Sequence, residues 1–176
     1  MAYPEPAVVS SALVANAAAG DHAAFTQLVA TYHQDMLRLC MVITSDQDLA
    51  NDAAQAAWHR AWRNLHQLRD VGRVRPWLLT IAANEARQAF RRRRHIVGVT
   101  TDALEDPTAE VDRIGLIDLA NALARLSADE RRLIGLRYVS GFTSVELAES
   151  LHLSPEGVRT RLKRIVDRLR KELGDG

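Results

Sequence analysis

The sequence of 176 residues contains a single cysteine, Cys40, which excludes an internal disulfide and a zinc site built from cysteines. Cys40 lies in an apolar segment with helical spacing, which is typical of a buried and unreactive thiol. No apolar run approaches the length that spans a membrane, and the first residues lack the basic and then apolar order of a secretory signal. We therefore expect a cytoplasmic protein with no membrane insertion.

The residue clusters that usually perform catalysis are missing as well. The six histidines are scattered along the chain, and no helix pairs a histidine with a carboxylate at a spacing that favours a metal site. The sequence also has no glycine-rich phosphate loop. It therefore predicts no catalytic residues, no metal and no cofactor, which argues against an enzyme.

Patterns with the period of a β-strand are scarce, whereas helical spacing recurs almost everywhere, so the chain is predicted to be all-α. Two stretches, 21–95 and 114–174, carry sustained apolar periodicity. The segment 96–113 between them holds glycine, proline and several acids without such a period, which suits a flexible linker between two small helical domains. Residues 1–20, rich in alanine and serine, are expected to be disordered or only partly helical.

Charge is nearly balanced but unevenly distributed. The formal net charge is +1, yet basic residues dominate between Val158 and Lys171 and form an uninterrupted run from Arg91 to Arg94. Separated basic patches of this kind are the electrostatic footprint of a polyanion such as DNA. The alternative is that each patch is a solvated helix face.

The stretch from Thr143 to Leu173 reads as two helices joined by a tight turn. Thr143 and Glu146 have the spacing of a capping box, and the helical pattern breaks before Ser154, which offers a second N-cap followed by proline. A second helix with one apolar and one basic face is typical of a helix-turn-helix that docks on its domain and on duplex DNA.

Projection at 100° per residue sorts the basic residues of this second helix. Arg159, Thr160 and Lys163 point well away from the apolar stripe and should reach the major groove, with Arg164 at the edge of the stripe. Arg161 lies closer to the stripe, and we expect it to bind a phosphate or an internal carboxylate rather than a base. Glu156 either accepts a hydrogen bond from cytosine or only favours the helix dipole.

A second set of candidate residues lies on the helix predicted from Pro76 to Arg94. One narrow stripe of this helix contains Trp77, Ile81, Asn84, Gln88 and Arg91. Aromatic rings can stack on bases, amides can read their edges and guanidinium groups can hold phosphates, so the stripe suits a melted DNA strand. The alternative for Trp77 and Ile81 is a place in the core, and we favour it for Trp77.

The last three arginines of the run, Arg92, Arg93 and Arg94, point around much of the helix. Because they cannot all face bases, we expect them, like Arg161, to contact backbone phosphates. A solvated helix end beside the negative pole of the dipole is the alternative.

Four segments in order resemble small bacterial sigma factors of the extracytoplasmic-function (ECF) type. They are Asp52–Trp62 (DAAQAAWHRAW), Pro76–Asn84 (PWLLTIAAN), Leu133–Gly141 (LIGLRYVSG) and Ser154–Arg161 (SPEGVRTR). The resemblance covers most of the chain and implies a region 2 domain at about 23–95 and a region 4 domain at about 116–173. Ala56 and Gly157 depart from the family pattern, where glutamate and threonine or alanine are usual.

The resemblance also implies roles and partners. Region 2 would dock on the β′ clamp helices of core RNA polymerase through Asp52, Gln55 and His59, which share one helical face at i, i+3 and i+7. It would read the −10 element as single strand through Asn84, Gln88 and Arg91. Region 4 would read the −35 element as duplex and approach the polymerase β flap. An anti-sigma factor is an expected further partner.

Two other classes of protein fit part of the sequence. A stand-alone helix-turn-helix transcriptional regulator with an N-terminal helical interaction domain would explain the last third equally well. Such a regulator would give no function to the polar row of Asp52, Gln55 and His59. A protein-interaction module with basic faces for an acidic partner would show no sequence preference for DNA.

Overall fold

The computed structural model describes residues 9–97, 119 and 121–174, and side chains for all of these except residues 94–97. The helices are α1 (Ser11–Ala18), α2 (His22–Thr44), α3 (Gln47–Asn64), α4 (Val74–Val97), α5 (Ala128–Ile134), α6 (Ser144–Leu151) and α7 (Pro155–Gly174). The described ranges contain no strand, which confirms the all-α prediction. None of the described helices is long and apolar enough to cross a membrane. The expected linker lies outside the described residues from position 98 onward.

Helix ends follow the chemistry that the sequence indicates. Thr143 accepts from the backbone N–H of Glu146 while the Glu146 carboxylate accepts in return, and Ser127 forms the same reciprocal capping box with Glu130. Ser154 accepts from the N–H of Gly157 at 3.0 Å. The Thr143–Glu146 capping box and the second N-cap, Ser154, are therefore confirmed, and Ser127 with Glu130 is a further box of the same kind.

Helix α4 is longer than predicted at both ends, because it begins at Val74 and ends at Val97. Pro76 falls in its first turn, where backbone N–H groups have no helical partner, so the proline costs no hydrogen bond. The preceding segment forms two short 3-10 turns, Leu65–Gln67 and Val71–Arg73, rather than an irregular loop. Asp70 caps the second turn by accepting from the N–H of Gly72 at 2.9 Å.

Part of the N-terminal segment forms a helix, α1. Ser10 caps α1 by accepting from Leu13 N–H, and Val14 and Ala17 are buried against the following helices. Helix α1 packs on α2 and touches both 3-10 turns before α4. Of the two alternatives expected for residues 1–20, the partly helical one therefore holds for Ser11–Ala18, because this helix has an apolar face to bury; residues 1–8 lie outside the described part.

Helices α2, α3 and α4 pack around one core. Helices α3 and α4 both bury many small side chains, which allow close approach of neighbouring helices; they are Ala50, Ala53, Ala54, Ala57, Ala82, Ala83, Ala86 and Ala89. Trp58 is buried, and its indole Nε1 donates to Nδ1 of His33 at 3.2 Å. Phe25 meets the rings of Trp58 and Trp62 edge to face, so both tryptophans belong to this packing rather than to a surface.

Helices α6 and α7 form the expected helix-turn-helix. The predicted apolar stripe of α7 is buried along its length: Val158, Leu162, Ile165 and Leu169. Between α5 and α6, Gly135–Val139 form a π-helical turn and Gly141 takes a positive φ of 76°, which glycine adopts without strain. Helix α5 and the π turn lie directly on α2 and α4, so the two groups of helices are in contact.

Candidate nucleic-acid and polymerase interfaces

The predicted polar row on α3 lines a cleft. Asp52, Gln55 and His59 are exposed and border a depression of about 1000 Å³ between α3 and α4. The structure therefore brings all three together on one accessible surface. Among the described residues, no group of histidine, cysteine and carboxylate side chains is placed to hold a metal ion.

The same cleft contains charged residues that the sequence did not single out. Arg60 Nη1 donates to Glu85 Oε1 at 2.6 Å, which ties α3 to α4 across the cleft floor. Ala56, Arg63, Asn64 and Arg92 complete the lining. No local signal in the sequence marks Glu85, because its partner Arg60 lies on another helix.

The arginines at the end of α4 differ in their contacts with the rest of the protein. Arg93 Nη1 donates to Asp46 Oδ2, which joins the end of α4 to the N-terminus of α3. The pKa of Asp46 is lowered, first by the backbone hydrogen bond from Leu49 and further by Arg93, although burial opposes the shift. Arg91, Arg92 and Arg93 are all exposed, and Arg93 has an internal partner in Asp46. The side chain of Arg94 lies outside the described residues.

The predicted single-strand stripe on α4 is only partly accessible. Gln88 and Arg91 are exposed, and Asn84 is half-buried. Trp77 and Ile81 are partly buried and pack against the core, which supports the core interpretation for both. The accessible groups of the stripe are thus the Gln88 amide and the Arg91 guanidinium group, and Asn84 is only partly accessible.

The basic face of α7 is open to solvent. Arg159, Thr160, Lys163 and Arg164 are all exposed. Arg159 Nη2 donates to Glu156 Oε1 at 2.6 Å, so Glu156 pairs with a neighbouring cation in this structure.

Arg161 is exposed too, and within the described ranges no ion pair joins it to a carboxylate. Neither of its two expected partners, a phosphate or an internal carboxylate, is therefore seen among the described residues, and both stay predictions.

Comparison with protein families matches both halves of the chain. Residues 28–96 match Sigma-70 region 2, and residues 122–171 match Sigma-70, region 4. The ECF RNA polymerase sigma factor SigL of Mycobacterium tuberculosis is 31% identical over 175 residues, covering 93% of this chain and 98% of SigL. The probable RNA polymerase sigma factor RfaY of Xanthomonas campestris is 32% identical over 90% of this chain, which spans only 42% of RfaY.

Two solved structures that resemble this chain are complexes with a second protein. CnrH in complex with the cytosolic domain of CnrY matches with a TM-score of 0.72 and 28% identity, covering 94% of this chain and 97% of CnrH. The sigma factor RpoE in complex with the anti-sigma factor NepR from Bartonella quintana matches with a TM-score of 0.71 and 27% identity, covering 85% and 96% of the two chains.

Proposed function

This chain belongs to the sigma-70 family as an RNA polymerase sigma factor of the ECF type, and we propose how its two helical groups divide the work of promoter recognition. Helices α1 to α4 bind core polymerase and the −10 element, and helices α5 to α7 bind the −35 element. The observation that best supports this division is the pairing of a polar cleft on α3 and α4 with an exposed basic helix, α7.

The cleft between α3 and α4 is the surface proposed for the β′ clamp helices. Asp52, Gln55 and His59 are accessible along one edge, and the Arg60–Glu85 pair holds the two walls at a fixed separation. A preformed surface of this kind binds with little reorganisation. Ala56 lies within the cleft as well, so the polymerase contact is carried by its neighbours rather than by a side chain at this position.

Helix α4 and the two 3-10 turns before it are proposed to hold the melted −10 strand. Gln88 and Arg91 offer an edge-reading amide and a phosphate-binding guanidinium group, with Asn84 beside them. The family resemblance implies capture of a flipped base by the segment at about 67–75, which would offset an unstacking cost on the order of a few kcal/mol. Opening then needs no ATP, in keeping with a factor that performs no bond chemistry itself.

Helix α7 is proposed to read the −35 element in the major groove. Arg159, Thr160 and Lys163 project from the exposed face while the opposite face is buried in the helix-turn-helix. Arg164 flanks these readers, and Arg92 and Arg161 contribute phosphate contacts.

An anti-sigma factor is a proposed partner, since the similar sigma factor RpoE from Bartonella quintana was solved in complex with the anti-sigma factor NepR. We also propose that the chain works in the cytoplasm, where promoters and core polymerase are found.

Reconstitution with core RNA polymerase tests this function. The purified chain is added to core enzyme lacking sigma, and run-off transcription is measured from a library of promoter sequences. We expect a stable complex with core and transcription from a subset of promoters. A stand-alone regulator would instead bind duplex DNA without polymerase, and it would leave the core enzyme inactive on every promoter.

A further inference from the structure

A buried carboxylate lies on the floor of the cleft between α3 and α4. Glu85 of α4 is buried, and so are Ala82, Ala86 and Ala89, its neighbours at helical spacing. An unpaired carboxylate that has left water is costly, so a cation must accompany it. Arg60 of α3 supplies this cation, because its Nη1 donates to Glu85 Oε1 at 2.6 Å.

Arg60 uses only part of its guanidinium group in this pair. Its side chain is 56% exposed, and a guanidinium group carries several N–H donors, of which the contact with Glu85 occupies one. Among the residues that the structure describes, no second carboxylate forms an ion pair with Arg60. The side chain therefore has donors left for a partner outside the chain.

Position 56 on α3 is a place from which a carboxylate could hold Arg60 within one helix. It precedes residue 60 by four positions, and a glutamate at that spacing lies beside the arginine in the favourable order. This chain has Ala56 there, although glutamate is usual at this position in ECF sigma factors. Helix α3 offers Arg60 no carboxylate three or four positions away, and the arginine pairs with Glu85 on the facing helix instead.

Ala56 and Glu85 border the same two depressions. Both line the cleft of about 1000 Å³, and both line a second depression of about 380 Å³ that reaches Leu49 and Ala89. The small side chain of Ala56 leaves the space between the helices open, and Arg60 crosses it to reach α4. The alanine at 56 and the carboxylate at 85 thus belong to one surface.

The accessible charges of the cleft are mostly positive. Glu85 is buried and paired, whereas Arg60, Arg63 and Arg92 are exposed and face the cleft together with one exposed carboxylate, Asp52. A surface of this kind attracts a partner that presents carboxylates. The Asp52 carboxylate disfavours a DNA strand, because a strand brings closely spaced phosphates. The charges therefore favour a protein partner.

We propose that Arg60 is a further contact to core polymerase, where it binds a carboxylate of the β′ clamp helices, and that Glu85 is the positioning residue that orients Arg60. Glu85 thereby replaces, from the facing helix, the glutamate that is usual at position 56. The inference rests on the proposed function, because it adds a pair of residues to the surface assigned there to polymerase. An arginine already held in one orientation loses less side-chain freedom on binding, and its planar group can bind a carboxylate through two parallel hydrogen bonds.

Moving the carboxylate from one helix to the other tests this proposal. Glu85→Ala removes it from α4, and Ala56→Glu places one beside Arg60 on α3. Because Ala56 is exposed, the longer side chain does not enter the core. The affinity of each chain for core RNA polymerase is measured without DNA, by fluorescence anisotropy of the labelled chain. Thermal unfolding followed by circular dichroism verifies that each variant is folded.

Glu85→Ala is expected to weaken core binding by about fivefold or more, because Arg60 loses its fixed orientation. The double variant Ala56→Glu and Glu85→Ala should regain most of this loss. Asn51→Glu combined with Glu85→Ala is the matched control, since it adds the same charge to an exposed position of α3 that does not line the cleft. Position 51 is more than two helical turns from Arg60, so this control should regain nothing.

A further comparison separates positioning from a direct contact by either carboxylate. The double variant Arg60→Ala and Glu85→Ala leaves no unpaired carboxylate on the cleft floor. Adding Ala56→Glu to this variant should restore no affinity, because the arginine that it would orient is absent. Glu85→Gln replaces Glu85→Ala in every comparison if the alanine variant does not fold.

Four results would overturn the proposal. They are unchanged core affinity in Glu85→Ala, no recovery by Ala56→Glu in a folded chain, equal recovery by Asn51→Glu, and recovery that persists without Arg60. Weaker binding of promoter DNA by the Glu85→Ala holoenzyme, with core affinity unchanged, would overturn it too and assign the pair to a DNA strand. If the wild-type chain does not bind core polymerase, the proposed function itself fails, and the wild-type titration alone shows this.

Discussion

Arg60 of α3 donates from Nη1 to Oε1 of Glu85 on α4, with 2.6 Å between the two atoms. The Glu85 side chain is 11% exposed and the Arg60 side chain 56%, so the pair spans the cleft from floor to rim. An exposed arginine contributes little to folding free energy through such a pair. The effect of the pair is geometric, because it holds α3 and α4 at a set distance beside Asp52 and Gln55.

The double substitution Asp52→Ala and Gln55→Ala is expected to weaken core polymerase binding by about tenfold or more, because two polar partners are removed from the proposed contact surface. Binding is measured by fluorescence anisotropy of labelled chain titrated with core enzyme. Asn51→Ala is the matched control, since Asn51 is exposed on the same helix but does not line the cleft. Equal affinities for the double variant and the control would contradict the assignment.

Lys163→Ala is expected to reduce −35 recognition while leaving core affinity intact. Loss of one phosphate or base contact in the major groove should cost about 1–3 kcal/mol, and if the contact is to a phosphate the salt dependence of log K should fall by about one unit. Holoenzyme binding to duplex −35 DNA is measured at several salt concentrations. Lys171→Ala, at the far end of the same helix, controls for the loss of charge alone. If Lys163→Ala loses affinity for core polymerase, the assignment of α7 to DNA and of the α3 cleft to polymerase is refuted.

Gln88→Ala is expected to slow promoter opening rather than initial binding. The amide is exposed on α4 and is proposed to act only once the −10 strand is single. Permanganate reactivity of thymines follows opening on duplex promoters, and a template with a pre-melted −10 segment serves as the control. The defect should shrink on the pre-melted template if Gln88 assists melting, and persist there if it only holds the strand. If the Gln88→Ala holoenzyme opens both templates as the wild type does, Gln88 is not part of the −10 contact.

Asp46→Ala is expected to lower stability in a pH-dependent way. The N-cap hydrogen bond to Leu49 and the contact with Arg93 lower the pKa of Asp46 in the folded chain relative to its value near 3.8. Its stabilisation is therefore complete above the unfolded pKa and is lost as pH falls through the folded pKa. At pH 7 the substitution should cost about 1 kcal/mol, as expected for loss of an N-cap.

Thermal unfolding at pH 7 and pH 3 checks this pH dependence, with Asp167→Ala on exposed α7 as the control. The gap between wild type and Asp46→Ala should narrow in acid. A gap of constant size at both pH values would show that the charge of Asp46 plays no part.

Local features of the fold could be read from the sequence because they depend on residues three or four positions apart. The capping boxes at Ser127 and Thr143 and the buried stripe of α7 were predictable in this way. So was the shared face of Asp52, Gln55 and His59. The exposure of Arg161 was not, since projection on an ideal helix cannot say how much of the neighbouring surface the rest of the domain covers.

The roles of Glu85, Arg131 and Gly135 could not be predicted from the sequence. In the sequence they are an ordinary carboxylate, one of two adjacent arginines and a glycine within an apolar run. Each acquires its role from a partner that is distant in the sequence: Glu85 from Arg60, Arg131 from Ile43, and Gly135 from Leu39. The sequence by itself determined the helices, their caps and the family, because these rest on local spacing. Only the tertiary structure decided which helices meet, because burying Arg131 and fitting Gly135 against α2 depend on surfaces that exist only after folding.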